Sequence, residues 1–156
     1  MLRKKETKKG NKGFTLIEIL VVIGIIAVLA AVVLVAINPA RQFKLARDSQ
    51  RVSNVTAILN AVGQNMAENK GILQCGGGVT ALPSAPTVMS SNSGEYDVYT
   101  CIVPNYISAI PFDPSDTLAK FDSPGSYNTR YSISQDSDGR ITVSGNGEIS
   151  TISVTR

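Results

Sequence analysis

The sequence predicts an α+β protein in which a long N-terminal helix packs on a C-terminal antiparallel β-sheet. Three observations support this class: an uninterrupted apolar run near the N-terminus, an amphipathic stretch after it, and three strand-length segments separated by turn signals at the C-terminal end. Apolar residues at helical spacing in the first half and at alternating spacing in the second separate the helical part from the sheet. A chain of 156 residues is long enough for one such domain with an appended segment.

The apolar run covers residues 14–37, FTLIEILVVIGIIAVLAAVVLVAI, and contains one charged side chain, Glu18. At ~1.5 Å per residue, a helix of this length crosses a hydrocarbon core of roughly 30 Å. A helix that is apolar on every side lies in a large protein core or in a membrane, and the rest of the chain is too short to surround it. We therefore predict a membrane span. A cleaved secretory signal fits poorly, because no Ala-x-Ala-like site follows the run, and a plain signal anchor would not need Glu18.

The charge is divided unevenly along the chain. Residues 1–13 contain six Lys or Arg and one acid, whereas residues 14–156 contain nine Lys or Arg and eleven acids. The basic leader places the N-terminus in the cytoplasm by the positive-inside rule. The slightly acidic remainder offers no general surface for polyanions, so no specific nucleic-acid partner is predicted.

Glu18 is the unusual residue of the span. A carboxylate within a membrane segment is costly and marks a pairing or a function by default. If the chain is cut before Phe14, the new α-amine lies about one helical turn from Glu18. The two groups could then pair within one subunit or between staggered subunits, which would favour assembly. The alternative is that Glu18 reaches the interface or is protonated.

Residues 12–30, KGFTLIEILVVIGIIAVLA, resemble the N-terminal signature of type IV pilins and type II secretion pseudopilins. The resemblance implies that a membrane prepilin peptidase cuts between Gly13 and Phe14 and methylates Phe14, and that Glu18 acts in assembly. It also implies a structural filament subunit, not an enzyme. The precursor would cross the cytoplasmic membrane once, and the product would join an extracytoplasmic filament at the cell surface or in the periplasm.

The partners implied by the resemblance are the peptidase and methyltransferase, further copies of the chain, other pilin-like subunits, an inner-membrane assembly platform and membrane lipid. The leading expectation is a type IV pilus-like subunit, and the alternative is a pseudopilin of a type II secretion system. The N-terminal signature is common to both kinds of subunit and does not distinguish them. The chain could also belong to a different class, a signal-anchored extracytoplasmic binding module or enzyme. Such a protein would need a catalytic constellation that the sequence does not show, and its function would not depend on Glu18.

The segment 38–70 is predicted to form an amphipathic helix, mostly over residues 40–68, after a break at Pro39. Its apolar stripe consists of Leu45, Val52, Val55, Leu59, Val62 and Met66. Arg41, Lys44, Arg47 and Arg51 precede or interrupt this stripe. Three interpretations of these basic residues remain open: a solvated face near lipid headgroups, pairing with acids of neighbouring subunits, and DNA binding.

Residues 71–156 are predicted to form the loops and the antiparallel sheet of a globular region. Residues 74–95 have a loop composition, 96–103 a strand-like one, and the last 28 positions form a three-stranded meander. The candidate inward residues of this meander are Tyr131, Ile133, Ile141, Val143, Ile149 and Ile152. The stretch IPFDP at 110–114 resembles the Pro-Asp-Pro region of some pseudopilins.

Cys75 and Cys101 flank the flexible loop, and a disulfide between them is predicted because the region is expected to lie outside the cytoplasm. The alternative is that they are free buried thiols. No cofactor and no metal site is predicted, because the sequence has no His and its Asp residues fit turns better than a calcium loop.

Overall fold

The computed structural model describes residues 13–156, so the predicted leader, apart from Gly13, lies outside the described residues. The chain divides into two compact units, Met1–Pro39 and Ala40–Arg156. We call residues 40–156 the head.

The described residues of the first unit, from Gly13 onward, contain an apolar helix, α1, Leu16–Ile37. Its 22 residues are all exposed, and its length and composition would let it cross a membrane. Thr15 is its N-cap, and Asn38 is its C-cap, with a left-handed φ of 47°. A left-handed residue commonly ends a helix, and Asn tolerates this conformation.

The second helix, α2, spans Pro39–Glu68. Proline fits the first position of a helix because the backbone N–H that it lacks would have no partner there. Val55, Ile58 and Val62 are completely buried and form the face of α2 that packs on the rest of the head. The predicted stripe is wrong in its first part, since Leu45 and Val52 are 37% and 45% exposed.

Asp48 and Arg51 are buried in this part of α2 instead of Leu45 and Val52. The apolar periodicity therefore does not mark the inner face of the first turns of α2, because an ionic contact fills that face.

The main sheet has the strand order β3-β5-β6-β7, and all its pairings are antiparallel. The strands are β3 (Thr87–Ser90), β4 (Lys120–Ser123), β5 (Ser126–Gln135), β6 (Ile141–Gly145) and β7 (Ile152–Thr155). Strand β4 also pairs with β5. A hairpin of β1 (Gln74–Cys75) and β2 (Gly78–Val79) and a short helix α3 (Tyr99–Ile102) complete the head.

The predicted α+β class and the C-terminal meander are confirmed. A single apolar core combines the inner face of α2 with inward residues of the sheet. Tyr131, Ile133 and Val143 are completely buried there, as predicted. The Tyr131 hydroxyl meets the Asn54 amide of α2 at 3.0 Å, which joins the helix to the sheet by a hydrogen bond as well.

Three local predictions for the head are wrong. The segment 96–103 contains helix α3 instead of a strand, with only an isolated bridge at Tyr96. Ile149 is 44% exposed because β7 starts at Ile152 and the residues before it form a loop. The segment 74–95, predicted as loop, contains the hairpin of β1 and β2 and also β3, whose pairing with β5 compensates for its polar composition.

Candidate functional site

The predicted processing segment precedes α1 directly. Gly13, Phe14 and Thr15 are not helical, and the Phe14 side chain is 85% exposed. The bond between Gly13 and Phe14 therefore lies in accessible, non-helical chain, two residues before the helix starts. A protease can bind a peptide bond in such a segment without first unwinding a helix.

Glu18 closes a capping box with Thr15. Its Oε2 accepts hydrogen bonds from the Thr15 backbone N–H at 2.7 Å and from the Thr15 hydroxyl at 2.8 Å. The Glu18 backbone N–H donates in return to the Thr15 hydroxyl oxygen at 3.3 Å. This arrangement satisfies donors at the helix N-terminus that have no partner within the helix.

The capping box supplies Glu18 with partners that our sequence reasoning missed. The signal was present as Thr-x-x-Glu at residues 15–18, the standard capping-box pattern. All atoms of the box lie on the C-terminal side of the Gly13–Phe14 bond, so the box survives cleavage of that bond. The predicted amine partner of Glu18 stays a prediction.

A second polar site lies in the head. We call Arg47, Asp48, Arg51, Asp113, Ser115 and Glu148 the ionic cluster. Its centre is the guanidinium of Arg51, whose side chain is 3% exposed. Arg51 donates from Nε to Asp113 Oδ2 at 2.7 Å and from Nη2 to Asp113 Oδ1 at 2.9 Å. Its Nη1 meets Asp48 Oδ1 at 2.7 Å, so all three guanidinium nitrogens are engaged.

The same cluster fixes the loop between β6 and β7 to α2. The carboxylate of Asp48 accepts the backbone N–H groups of Glu148 and Ile149 at 2.8 and 2.9 Å. The carboxylate of Glu148 pairs with Arg47, with 2.7 Å between Oε2 and Nη2. Residues about 100 positions apart in sequence are thereby joined.

The cluster lowers the pKa of each of its acids. The Glu148 N–H holds the pKa of Asp48 below its usual value, against a smaller effect of burial. Burial raises the pKa of Asp113, but the hydrogen bonds from Arg51 and from two backbone N–H groups outweigh it, and the pKa is lowered. The contact with Arg47 lowers the pKa of Glu148 to about 2. All three carboxylates are therefore ionised at neutral pH.

These contacts correct our interpretation of the basic residues on α2. Arg47 and Arg51 pair with acids of their own chain, which none of the three interpretations proposed. Lys44 stays on the exposed part of the helix. A sequence signal existed in the Asp48–Arg51 spacing of three residues, which places the two side chains on one face. The distant partners Asp113 and Glu148 gave no such signal.

A disulfide joins Cys75 and Cys101 and ties β1 to α3. The buried amide of Asn65 lies beside it and donates to the carbonyl oxygens of Gln74 and Cys101, both at 2.6 Å. The Asn65 carbonyl oxygen accepts the Gln74 N–H at 2.9 Å. The bridge and the amide together hold the loop to the end of α2. Within residues 13–156, no group of three His, Cys, Asp or Glu side chains is placed to hold a metal ion.

A membrane-length apolar helix with a capped acid at its start, followed by an α+β head, defines a pilin-like subunit. Residues 8–34 match a family model described as the prokaryotic N-terminal methylation motif. The chain is 30% identical to the type II secretion system core protein G of Aeromonas hydrophila over 120 residues, 77% of this chain and 78% of that protein. It is 30% identical to the core protein G of Escherichia coli (strain K12) over 133 residues, 84% and 85% of the two chains.

No solved structure is significantly similar to the chain. The two relatives nevertheless cover most of its length, and the chain therefore belongs to the family of type IV pilins and type II secretion pseudopilins. The family predicted from residues 12–30 is confirmed, and the protein is a pilin-like structural subunit. The α1 helix and the methylation motif fit a membrane-anchored precursor.

Proposed function

We propose that the chain is a pseudopilin, the subunit of a filament of the type II secretion kind. The observation that supports this most is the similarity to core protein G, which covers 77% of this chain in one relative and 84% in the other. It favours the second of our two filament hypotheses over a type IV pilus. In this proposal the filament lies outside the cytoplasmic membrane, and its assembly depends on other pilin-like subunits and on a membrane assembly platform. The role is structural, and no catalytic group is assigned.

The proposed division of the chain follows from processing. Residues 1–13 are the leader, 14–37 the membrane and filament-core helix, 38–70 the second helix, and 71–156 the rest of the globular domain. A prepilin peptidase on the cytoplasmic side hydrolyses the bond between Gly13 and Phe14, and the new α-amine of Phe14 is methylated. The exposed, non-helical chain at this bond supports the proposal, since a bond within α1 would have to unwind first.

Mass spectrometry of the membrane-associated protein tests this processing. The expected product begins at Phe14 and carries one methyl group. A Gly13→Val variant is expected to stay as the precursor, because the side chain enters the position that the peptidase must bind. Ser126→Val is a matched control in the head and is expected to be processed normally. A product that still begins at Met1 in cells that contain the peptidase would contradict the proposal.

Assembly through α1 follows from the exposure of its whole surface. None of its 22 residues is buried, so an α1 that leaves the lipid must bury this surface against other apolar helices. Glu18 needs a cation there, because an ionised carboxylate in an apolar setting is stable only when paired. The α-amine of Phe14, from the same or a staggered subunit, is the proposed partner. The capping box orients the carboxylate toward the helix start, where that amine lies.

Substitution of Glu18 tests the pairing. Glu18→Gln keeps the size and the hydrogen-bonding capacity of the side chain and removes its charge, whereas Glu18→Ala also removes the capping box. Both variants are expected to be cleaved normally and to lose filaments in electron micrographs. Glu68→Gln, an exposed acid at the end of α2, is the matched control and is expected to assemble. Normal filaments from Glu18→Gln would show that charge is not the determinant.

A deletion strain separates the remaining functions. Loss of a secreted protein with unchanged surface pili supports the pseudopilin, and the reverse supports a type IV pilus. If the protein were an anchored binding module or enzyme, both readouts and the Glu18 variants would be unaffected.

A further inference from the structure

We propose that Asn146 is a site of spontaneous deamidation and that its conversion to isoaspartate loosens the loop between β6 and β7 from α2. Asn146 and Gly147 form the single Asn-Gly pair of the sequence. Asn146 is exposed and lies between the end of β6 and the start of β7. Among residues 13–156, no hydrogen bond restrains its side chain. The inference concerns the head alone and is independent of the filament in which the subunit acts.

The reaction needs only this chain and water. The Gly147 amide nitrogen attacks the side-chain carbonyl carbon Cγ of Asn146 and loses its proton, and the new C–N bond closes a five-membered ring. The former side-chain nitrogen leaves as ammonia, which gives a succinimide. Water then opens the ring at either carbonyl, and the product is aspartate or isoaspartate. A glycine after the asparagine favours the attack, because it has no Cβ beside the attacking nitrogen.

Packing requires glycine at position 147. A Cβ added there would lie 1.9 Å from the Ser150 carbonyl oxygen and 3.1 Å from Asp48 Oδ2. The first distance is far inside van der Waals contact with backbone, so no other residue fits without a shift of the loop. The tight path of this loop therefore imposes the glycine that makes Asn146 reactive.

The modification would act directly on the ionic cluster. The two residues that follow Gly147 donate their N–H groups to Asp48 at 2.8 and 2.9 Å. Isoaspartate at 146 adds one methylene to the main chain just before these donors and so changes their position. It also adds a carboxylate near Asp48 and Glu148, which are both ionised. The strain and the like charges both oppose the contact between the loop and α2.

The first experiment measures the modification in the full chain, kept in detergent and in mildly alkaline buffer. Peptide mapping by mass spectrometry follows each asparagine, and a protein isoaspartyl methyltransferase labels isoaspartate. Asn146 is expected to convert several-fold faster than Asn92, an exposed asparagine that is followed by serine and whose amide is bonded to Glu95. An Asn146→Gln variant is expected to lose the isoaspartate label. Equal rates at Asn146 and Asn92 would overturn the proposal.

The second experiment measures the consequence. Hydrogen exchange of the Glu148 and Ile149 amides is compared in fresh and aged protein, with aged Asn146→Gln as the matched control. Exchange is expected to be several-fold faster only in the aged wild type. Fresh Asn146→Asp carries the added charge without the extra methylene. An exchange rate between those of fresh and aged wild type would show that the charge and the methylene both contribute. Unchanged exchange in a fully modified sample would overturn the loosening of the loop.

Discussion

Replacing Arg51 by Met should destabilise the head strongly, although both side chains are long and unbranched. The substitution removes a guanidinium that is 3% exposed and that holds Asp113, itself 5% exposed. Met fills much of the volume, so the main change is the loss of charge and of hydrogen-bond donors. Asp113 and Asp48 then remain largely buried without their cation.

The expected loss can be scaled from the burial of this pair. Breaking a buried ion pair by removing one partner costs about 3–5 kcal/mol, because it leaves an uncompensated charge. A whole domain is stable by only about 5–15 kcal/mol. The midpoint of thermal unfolding should therefore fall by on the order of 10 °C. A double variant with Arg51→Met and Asp113→Leu should recover part of the loss, since no lone charge remains at position 113.

Urea unfolding of the detergent-solubilised chain, followed by near-UV circular dichroism of its tyrosines, measures this loss. Lys120→Met is the matched control, because the Lys120–Asp122 pair is 56% and 60% exposed. Exposed pairs contribute about 0–1 kcal/mol, so this variant should unfold nearly like the wild type. If Arg51→Met and Lys120→Met lost the same small amount, the buried pair would not stabilise the head.

Two further predictions concern acid and the disulfide. The pKa of Glu148 is about 2 in the folded chain against 4.5 for the free group, so its stabilisation is complete above 4.5 and is lost as the pH falls from there toward 2. The urea midpoint of the wild type should fall across this pH window, and that of Glu148→Gln should fall less. An equal pH dependence of the two midpoints would contradict the assignment. Replacing Cys75 and Cys101 by Ser should lower the free energy of unfolding by about 3 kcal/mol, because the bridge closes a sequence separation of 26 residues. A reduced wild type that unfolds like the oxidised one would contradict it.

The features that could be predicted from sequence are those set by local patterns. The apolar run predicted α1 because nearly every side chain in it, with Glu18 as the charged exception, prefers lipid or a protein interior, and the signature at 12–30 predicted the family. The turn at 136–139 between β5 and β6 followed from its Asp and Gly residues, and Gly139 has the left-handed φ of 83° that favours glycine. In each case the physical cause lies within a few residues of its effect.

The ionic cluster could not be predicted in the same way. Arg51 reaches Asp113 across 62 positions and Glu148 across 97, and nothing in either segment specifies the other. The apolar periodicity at Leu45 and Val52 predicted the wrong buried face for the first turns of α2, because such a pattern assigns polar side chains to the solvent. A buried arginine fills an inner position when acids from other segments neutralise it, and this depends on the completed fold.

Every described residue of α1 is exposed, and the apolar core of the head is built from residues 55 onward. The apolar core of the head and the apolar surface of α1 are therefore formed by different parts of the sequence. A head loosened by mutation or ageing would still carry α1, the helix proposed to assemble the filament. Cellular quality control of such a subunit would have to recognise the head itself, because a defective head would not be revealed by a failure to assemble.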